Sequence, residues 1–282
     1  MSTVTSIIAR ADLARAQQII KWIVYSLLLV NFVFYAQEDI VRAIHTLHDG
    51  STLFKITSEF ATTIDTLAWF LLLAMFELET YQLDDDQWKG WVSKTVRGVR
   101  IVCIIMIAHT LAAYAESVID YGPERPFEGV TNLCELTGQD LSFVYNLEYT
   151  DITSETCQTL SDESAFFRLG KINPLVTTAE GLELEQDLAL ADLIELIAWL
   201  VILLAIEVIV RLQGKGVTGG TTRTALQGAK LVAYGVLFLL SVYWARLGHW
   251  LYTWDEFIWV AGFAAIEMNV HEWRDELLEK SP

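Results

Sequence analysis

Proline and cysteine are scarce in this chain, and charge is thin. Its 282 residues include four prolines and three cysteines, and only 20% are charged, against about a quarter in an average soluble domain. Positive charge is shorter still: 19 Lys and Arg stand against 36 Asp and Glu, for a net charge of −17. Such a field repels a phosphate backbone, so nucleic acid is excluded as a natural partner. The motifs of common chemistries are missing as well. There is no P-loop, no nucleophile elbow and no H-E-x-x-H pair, and the loop Gly219-Gly220-Thr221-Thr222 lacks the Walker lysine. His45 and His48 stand three apart without a third ligand, a solvated face rather than a metal site. No paired histidines lie at membrane depth to hold a haem. Nothing marks an enzyme, a metal site or a cofactor.

What the chain has is apolar mass. Apolar residues make up 53% of it, the mean hydropathy is +0.37, and the apolar residues gather in blocks such as 22–36, 101–115 and 193–206. Blocks of that length exclude a soluble enzyme, a disordered tail and a coiled coil. They predict an all-α polytopic membrane protein with six transmembrane helices, at 19–37, 64–81, 98–118, 190–212, 229–249 and 254–271. The flank Phe34-Tyr35-Ala36 lacks the small residue a signal-peptidase site wants, so the first span is expected to be retained. With both termini in the cytoplasm, most of the bases fall inside, which fits a bacterial inner membrane and a lipid bilayer as the surrounding medium.

That orientation puts residues 119–186 outside. The segment is acidic, contains Pro123, Pro126 and Pro174 and has no long apolar run, so it reads as a folded insertion. Cys134 and Cys157 both lie in it. A disulfide between them fits an oxidising compartment, and two free thiols fit the sequence as well. Cys103 sits in an apolar block as an inert core thiol. On the inside, residues 83–97 read as an amphipathic surface linker with Trp88 and Trp91, and residues 213–228 as a mobile Gly- and Thr-rich loop.

The spans repeat. Helix two has Asp65, Trp69 and Glu77; helix four has Glu195, Trp199 and Glu207 at the same spacing; helix six has Asp255, Trp259 and Glu267. In the odd helices, Lys21, Arg100 and Lys230 each precede by fourteen residues the pairs Tyr35-Ala36, Tyr114-Ala115 and Trp244-Ala245. The expectation is three two-helix hairpin repeats in a pseudo-threefold arrangement. Repeat one covers 1–82, repeat two covers 98–212 with its insertion, and repeat three with a short tail covers 229–282. The proline-acid-x-x-base signature of mitochondrial carriers, which also use three hairpins, is absent, because none of the four prolines falls in a span.

Most repeated residues have ordinary structural readings. The aromatics form a belt, the bases anchor inner ends, and the outer-end acids Asp65, Glu195 and Asp255 complement helix dipoles. Glu77, Glu207 and Glu267 lie roughly 12 Å deeper, where an ionised carboxylate costs on the order of 2.5–3.5 kcal/mol. They are the candidate ion-binding or proton-handling residues, with Lys21, Arg100, Lys230, Arg211 and His271 as charge partners. His109 and Glu116 are a candidate proton relay. The leading functional expectation is proton or cation handling as a channel, transporter or ion-coupled subunit. The rival is a non-conducting scaffold or accessory subunit that docks a protein partner through 119–186.

Overall fold

The structure is a computed structural model that describes residues 2–78, 90–163, 165–171, 173–217 and 219–264; the side chains of residues 2–17, 20, 21, 76 and 77 lie outside the described set. Contacts divide the chain into two compact units, Phe32–Ile194 on one hand and Met1–Asn31 with Glu195–Pro282 on the other.

Helix α1 runs Ser2–Thr46. A short helix α2, Leu53–Glu59, follows, and its N-cap Thr52 accepts from the Lys55 amide. At Phe60 the chain leaves helical geometry and then resumes as α3, Ala61–Glu77, bent by 70° from α2. No proline or glycine causes the bend. Phe60 offers no side chain to cap the new helix, so a neighbour supplies the acceptor: Asp39 of α1 takes bonds from the Thr63 amide (2.8 Å) and the Thr63 hydroxyl (2.7 Å). An orphan amide of the first turn is thereby satisfied from outside its own helix. Helix α4, Trp91–Tyr121, packs against α3 through Val96, Cys103, Ile107, Thr110 and Ala113, a stripe at helical spacing. Ala61 and Ala113 are both buried, and side chains that small let the backbones approach closely enough for the Thr110 hydroxyl to reach the Ala61 carbonyl.

Between α4 and the next long helix lies a small sheet subdomain. Its strands are β1 (Ser142–Tyr145), β2 (Glu148–Asp151), β3 (Phe166–Arg168) and β4 (Leu175–Thr178), in the order β2-β1-β4-β3. The β1–β2 and β3–β4 pairs are antiparallel, and β1 runs parallel to β4, with Ser142 opposite Leu175. Leu133, Leu136, Phe143, Phe166 and Val176 form one core; Val144, Leu169, Leu175 and Leu182 form another. Cys134 and Cys157 are bonded. The all-α expectation is thus corrected within 119–186, where short aromatic and β-branched strands pair.

Helix α5 spans Ala179–Gly214 and α6 spans Thr221–Leu247. Gly248, in the left-handed region at φ 89°, ends α6, and the His249 amide closes on the Trp244 carbonyl at 2.9 Å. Helix α7 then covers 250–264. Among the described residues, four helices are long and apolar enough to cross a membrane, and five if the bent α2–α3 pair counts as one. Six spans are therefore not what the described residues display, and the expected sixth, 254–271, extends past the last described residue. Several boundaries also move. Trp91–Arg97, expected in the surface linker, forms the first turns of α4, and α5 begins inside the expected insertion, because polar residues such as Glu180 and Glu183 are good helix formers.

Candidate functional site

Unit Met1–Asn31 with Glu195–Pro282 gathers a cluster of three acids from two helices, with Asp255 and Glu256 buried and Glu195 half-buried. Glu195 projects from α5, where it accepts a hydrogen bond from the Trp244 indole N–H of α6 at 3.0 Å. Trp244 is fully buried, its ring edge-on to Tyr252 and to His249. Asp255 of α7 accepts from the Asn31 side-chain amide of α1 at 2.5 Å, both residues buried. Beside it, Glu256 is 3% exposed. The α6–α7 turn brings these groups together: the Thr253 hydroxyl donates to the Ser241 carbonyl, and the left-handed Gly248 makes the reversal.

Glu256 is the unusual member. Neither of its carboxyl oxygens has a well-formed hydrogen bond, and the Trp199 indole N–H is a donor that acts on it. The groups that act on it most strongly are the carboxyls of Glu195 and Asp255 and the Trp199 indole, none of them a cation. The Trp199 ring is held in turn against Trp259 and Phe263. A carboxyl buried among carboxyls is an expensive arrangement, since an unpaired buried charge costs several kcal/mol on the order seen for broken ion pairs.

No family model, curated protein or solved structure matches this chain. The site must be read from its own chemistry.

The residues singled out from the sequence are distributed as follows. Asp255 enters the cluster, and so does Glu195, which lies sixteen residues into α5 and therefore complements no helix N-terminus, contrary to the expectation for it. Asp65, the third outer-end acid, is half-buried on α3 and acts electrostatically on Tyr114, whose hydroxyl meets Thr62 at 3.3 Å. Glu207 is exposed and bonded to Arg211 one turn on, 2.7 Å away; it lies twelve residues, roughly 18 Å, along α5 from Glu195. Glu77 and Lys21 lie in α3 and α1 with side chains outside the described set, and Glu267 and His271 lie outside the described residues altogether. Arg100 and Lys230 are half-buried on α4 and α6. The His109 ring packs edge-on to Phe54 at 5.3 Å, its Nε2 buried without a hydrogen-bond partner. Glu116 is exposed about 10 Å further along α4. His45 joins the sheet subdomain, with Nδ1 3.0 Å from both the Ser142 hydroxyl and an Asp151 carboxylate oxygen. One nitrogen serves both partners, so the trio is no catalytic triad.

Sequence reasoning did not single out Glu256. The available signal was Trp254-Asp255-Glu256, two successive acids at the head of an apolar stretch. Successive residues on a helix point about 100° apart, so the second acid needs its own explanation.

Proposed function

We propose that this chain is an integral membrane protein that carries protons or small cations, with the Glu195–Glu256 pair as its proton-binding centre. The pair carries the reading. Ionised carboxylate oxygens only accept, so two facing carboxyls attract one another only when one of them holds a proton and donates it. A buried site whose occupancy changes by one proton is the minimum device for proton translocation.

Several features support membrane embedding. The long helices expose apolar side chains in number: Ile101, Val102, Ile104 and Ile105 on α4, and Leu231, Val232, Phe238 and Leu239 on α6. Lipid, rather than water, suits such surfaces. The disulfide favours an oxidising side for the sheet subdomain, with both termini on the other side, as in a bacterial inner membrane. The three repeated acids each act on a residue of an odd-numbered repeat helix: Glu195 and Asp255 accept hydrogen bonds from Trp244 and Asn31, and Asp65 acts on Tyr114 through its charge. That correspondence supports three hairpin repeats. In this reading Glu207 and Glu267, of the same unit, serve the inner stretch of the same path.

The test is proton flux in liposomes for wild type, Glu195→Gln, Glu256→Gln and, as a comparison, Glu207→Gln, with thermal melting of each. Loss of flux by tenfold or more in the first two variants at unchanged melting temperature is the expected result. Flux that survives both substitutions, or a wild type that conducts nothing, overturns the reading and favours a scaffold that docks a partner through 119–186.

A further inference from the structure

Helix α4 carries two faces of opposite character. Its buried stripe is Val96, Cys103, Ile107, Thr110 and Ala113. On the other side stand Lys94, Arg97, Gly98 and Ile101, all exposed. Their spacing of i, i+3, i+4 and i+7 makes them close neighbours on the helix surface. Ile104 and Ile105 continue the face at 59% and 62% exposure, and Trp91, one turn before Lys94, is 79% exposed.

The charged end of this face lacks a counter-charge. Acids outnumber bases 36 to 19 in the chain, and Arg42, Lys55, Arg125 and Arg211 each pair with a carboxylate. Among the described residues, Lys94 and Arg97 pair with none. Both lie in the first two turns of α4, where the helix dipole is already positive. The first turn holds no acid, and Gly90 brings no side chain to its amides. Between the two bases the surface is notched to the backbone, because a side chain at Gly98 would meet no atom within 4 Å. Gly98 is an ordinary helical position, where glycine weakens a helix and no turn requires it.

We propose that this face binds an anionic phospholipid of the surrounding bilayer, its phosphate seated over Gly98 between Lys94 and Arg97 and an acyl chain lying along Ile101, Ile104 and Ile105. The inference rests on the membrane embedding proposed above. It does not depend on the proton centre, which belongs to the other unit. Charge complementarity selects the headgroup: the Arg97 guanidinium offers paired N–H groups to two phosphate oxygens, and the Lys94 ammonium adds a point charge. A zwitterionic lipid brings its own cation, which the two bases repel. The isoleucines select a lipid over a soluble anion. Lys94 and Ile104 are ten residues apart, roughly 15 Å along the axis, which is half of a hydrocarbon core about 30 Å thick and so the depth of one leaflet. Trp91 then falls at the headgroup level, where an amphipathic indole is favoured.

Native mass spectrometry of the full chain in a neutral detergent tests this, with dioleoylphosphatidylglycerol or dioleoylphosphatidylcholine added and the retained lipid counted. The wild type should hold the first phosphatidylglycerol about tenfold more tightly than phosphatidylcholine. Lys94→Gln combined with Arg97→Gln should abolish that preference. Gly98→Leu keeps both charges and fills the notch, and it should cut the preference by about threefold or more. Leucine is the better helix former, so this variant should melt no lower than the wild type. Lys215→Gln, which removes an exposed base from the turn after α5, should leave the preference unchanged. Equal retention of the two lipids overturns the proposal, and so does a preference that survives either α4 variant or that falls as far with Lys215→Gln. Excess glycerol phosphate, the headgroup chemistry without acyl chains, should leave the lipid bound; if it displaces the lipid, the site serves a soluble anion and the proposal fails. Proton flux in liposomes without a lipid preference removes this inference alone. A lipid preference without flux removes the transport reading and leaves this site.

Discussion

In Phe32–Ile194, Asp39 is fully buried and surrounded by donors: Arg42 at 2.9 Å, the Thr63 amide and the Thr63 hydroxyl. Glu59 is paired with Lys55 one turn away, and Glu185 accepts from the backbone amides of Asn146 and Leu147 in the β1–β2 turn. In the other unit Glu256 is also buried, yet two carboxyls act on it besides the Trp199 indole, where Asp39 has a cation and two Thr63 donors. The difference separates two uses of one functional group. Asp39 and Glu185 take the place of missing backbone partners, at the head of α3 and in a turn where Asn146 and Leu147 both have positive φ. Fixed donors of that kind hold the side chain in one place. A carboxyl set against another carboxyl has two states available, separated by a proton.

The comparison can be broken most directly by stability measurements. Asp39→Ala strips the acceptor from Arg42 and from two groups of Thr63, and it should lower unfolding stability in detergent by about 3–5 kcal/mol, the range for breaking a buried pair. Glu256→Gln should change it by less than about 1 kcal/mol, since the amide oxygen can still accept from the Trp199 indole. If the two substitutions cost the same, the distinction between the units fails.

Replacing Cys134 and Cys157 by Ser sharpens the comparison from another side. The bond closes a loop with a sequence separation of 23, so its loss should cost about 3 kcal/mol by chain entropy. The damage should appear as faster proteolysis of the sheet subdomain while proton flux through the other unit persists. A flux that falls with the disulfide would mean that the two units do not work independently.

The smallest effect is a pH dependence. Burial of the Tyr149 hydroxyl in the sheet subdomain pushes its ionisation well above the usual tyrosine value. The unfolded chain ionises first, so this contribution to stability is complete below about pH 10 and is lost as pH rises beyond it. Glu135 moves the other way, because the Thr131 hydroxyl and amide hold its carboxylate below the usual range. Its smaller contribution is present above the normal glutamate value and fades as acid is added. Tyr149→Phe should flatten the alkaline limb of a pH series of subdomain unfolding and leave the acid limb unchanged; an unaltered alkaline limb would assign that loss to other groups.

The long helices were legible because apolar blocks survive any local detail, and the insertion because prolines and acids interrupt them. Its strands were not. Stretches as short as Phe166–Arg168 and Ser142–Tyr145 carry too few residues to show an alternation. The bend at Phe60 was hidden for a different reason: the acceptor that starts α3 sits 24 residues earlier, on α1. Glu195 and Asp255 stood out in the sequence as helix-end acids, which is a statement about one helix each. That Trp244 and Asn31 would face them depends on which helices are neighbours, and spacing along one helix carries no information about that.

The parallel pairing of β1 with β4 bears on the order in which the chain is made. Ser142 finds its neighbour Leu175 only after the intervening residues have been synthesised, whereas β2 is available to β1 at once through the two-residue turn. The sheet is completed by Thr178, and α5 begins at Ala179. Synthesis proceeds from the N-terminus, so every strand has already left the ribosome before the first turn of α5 has. A nascent chain arrested a few dozen residues beyond Thr178 holds all the pieces of this subdomain, free to assemble while the acid cluster still lacks α6 and α7.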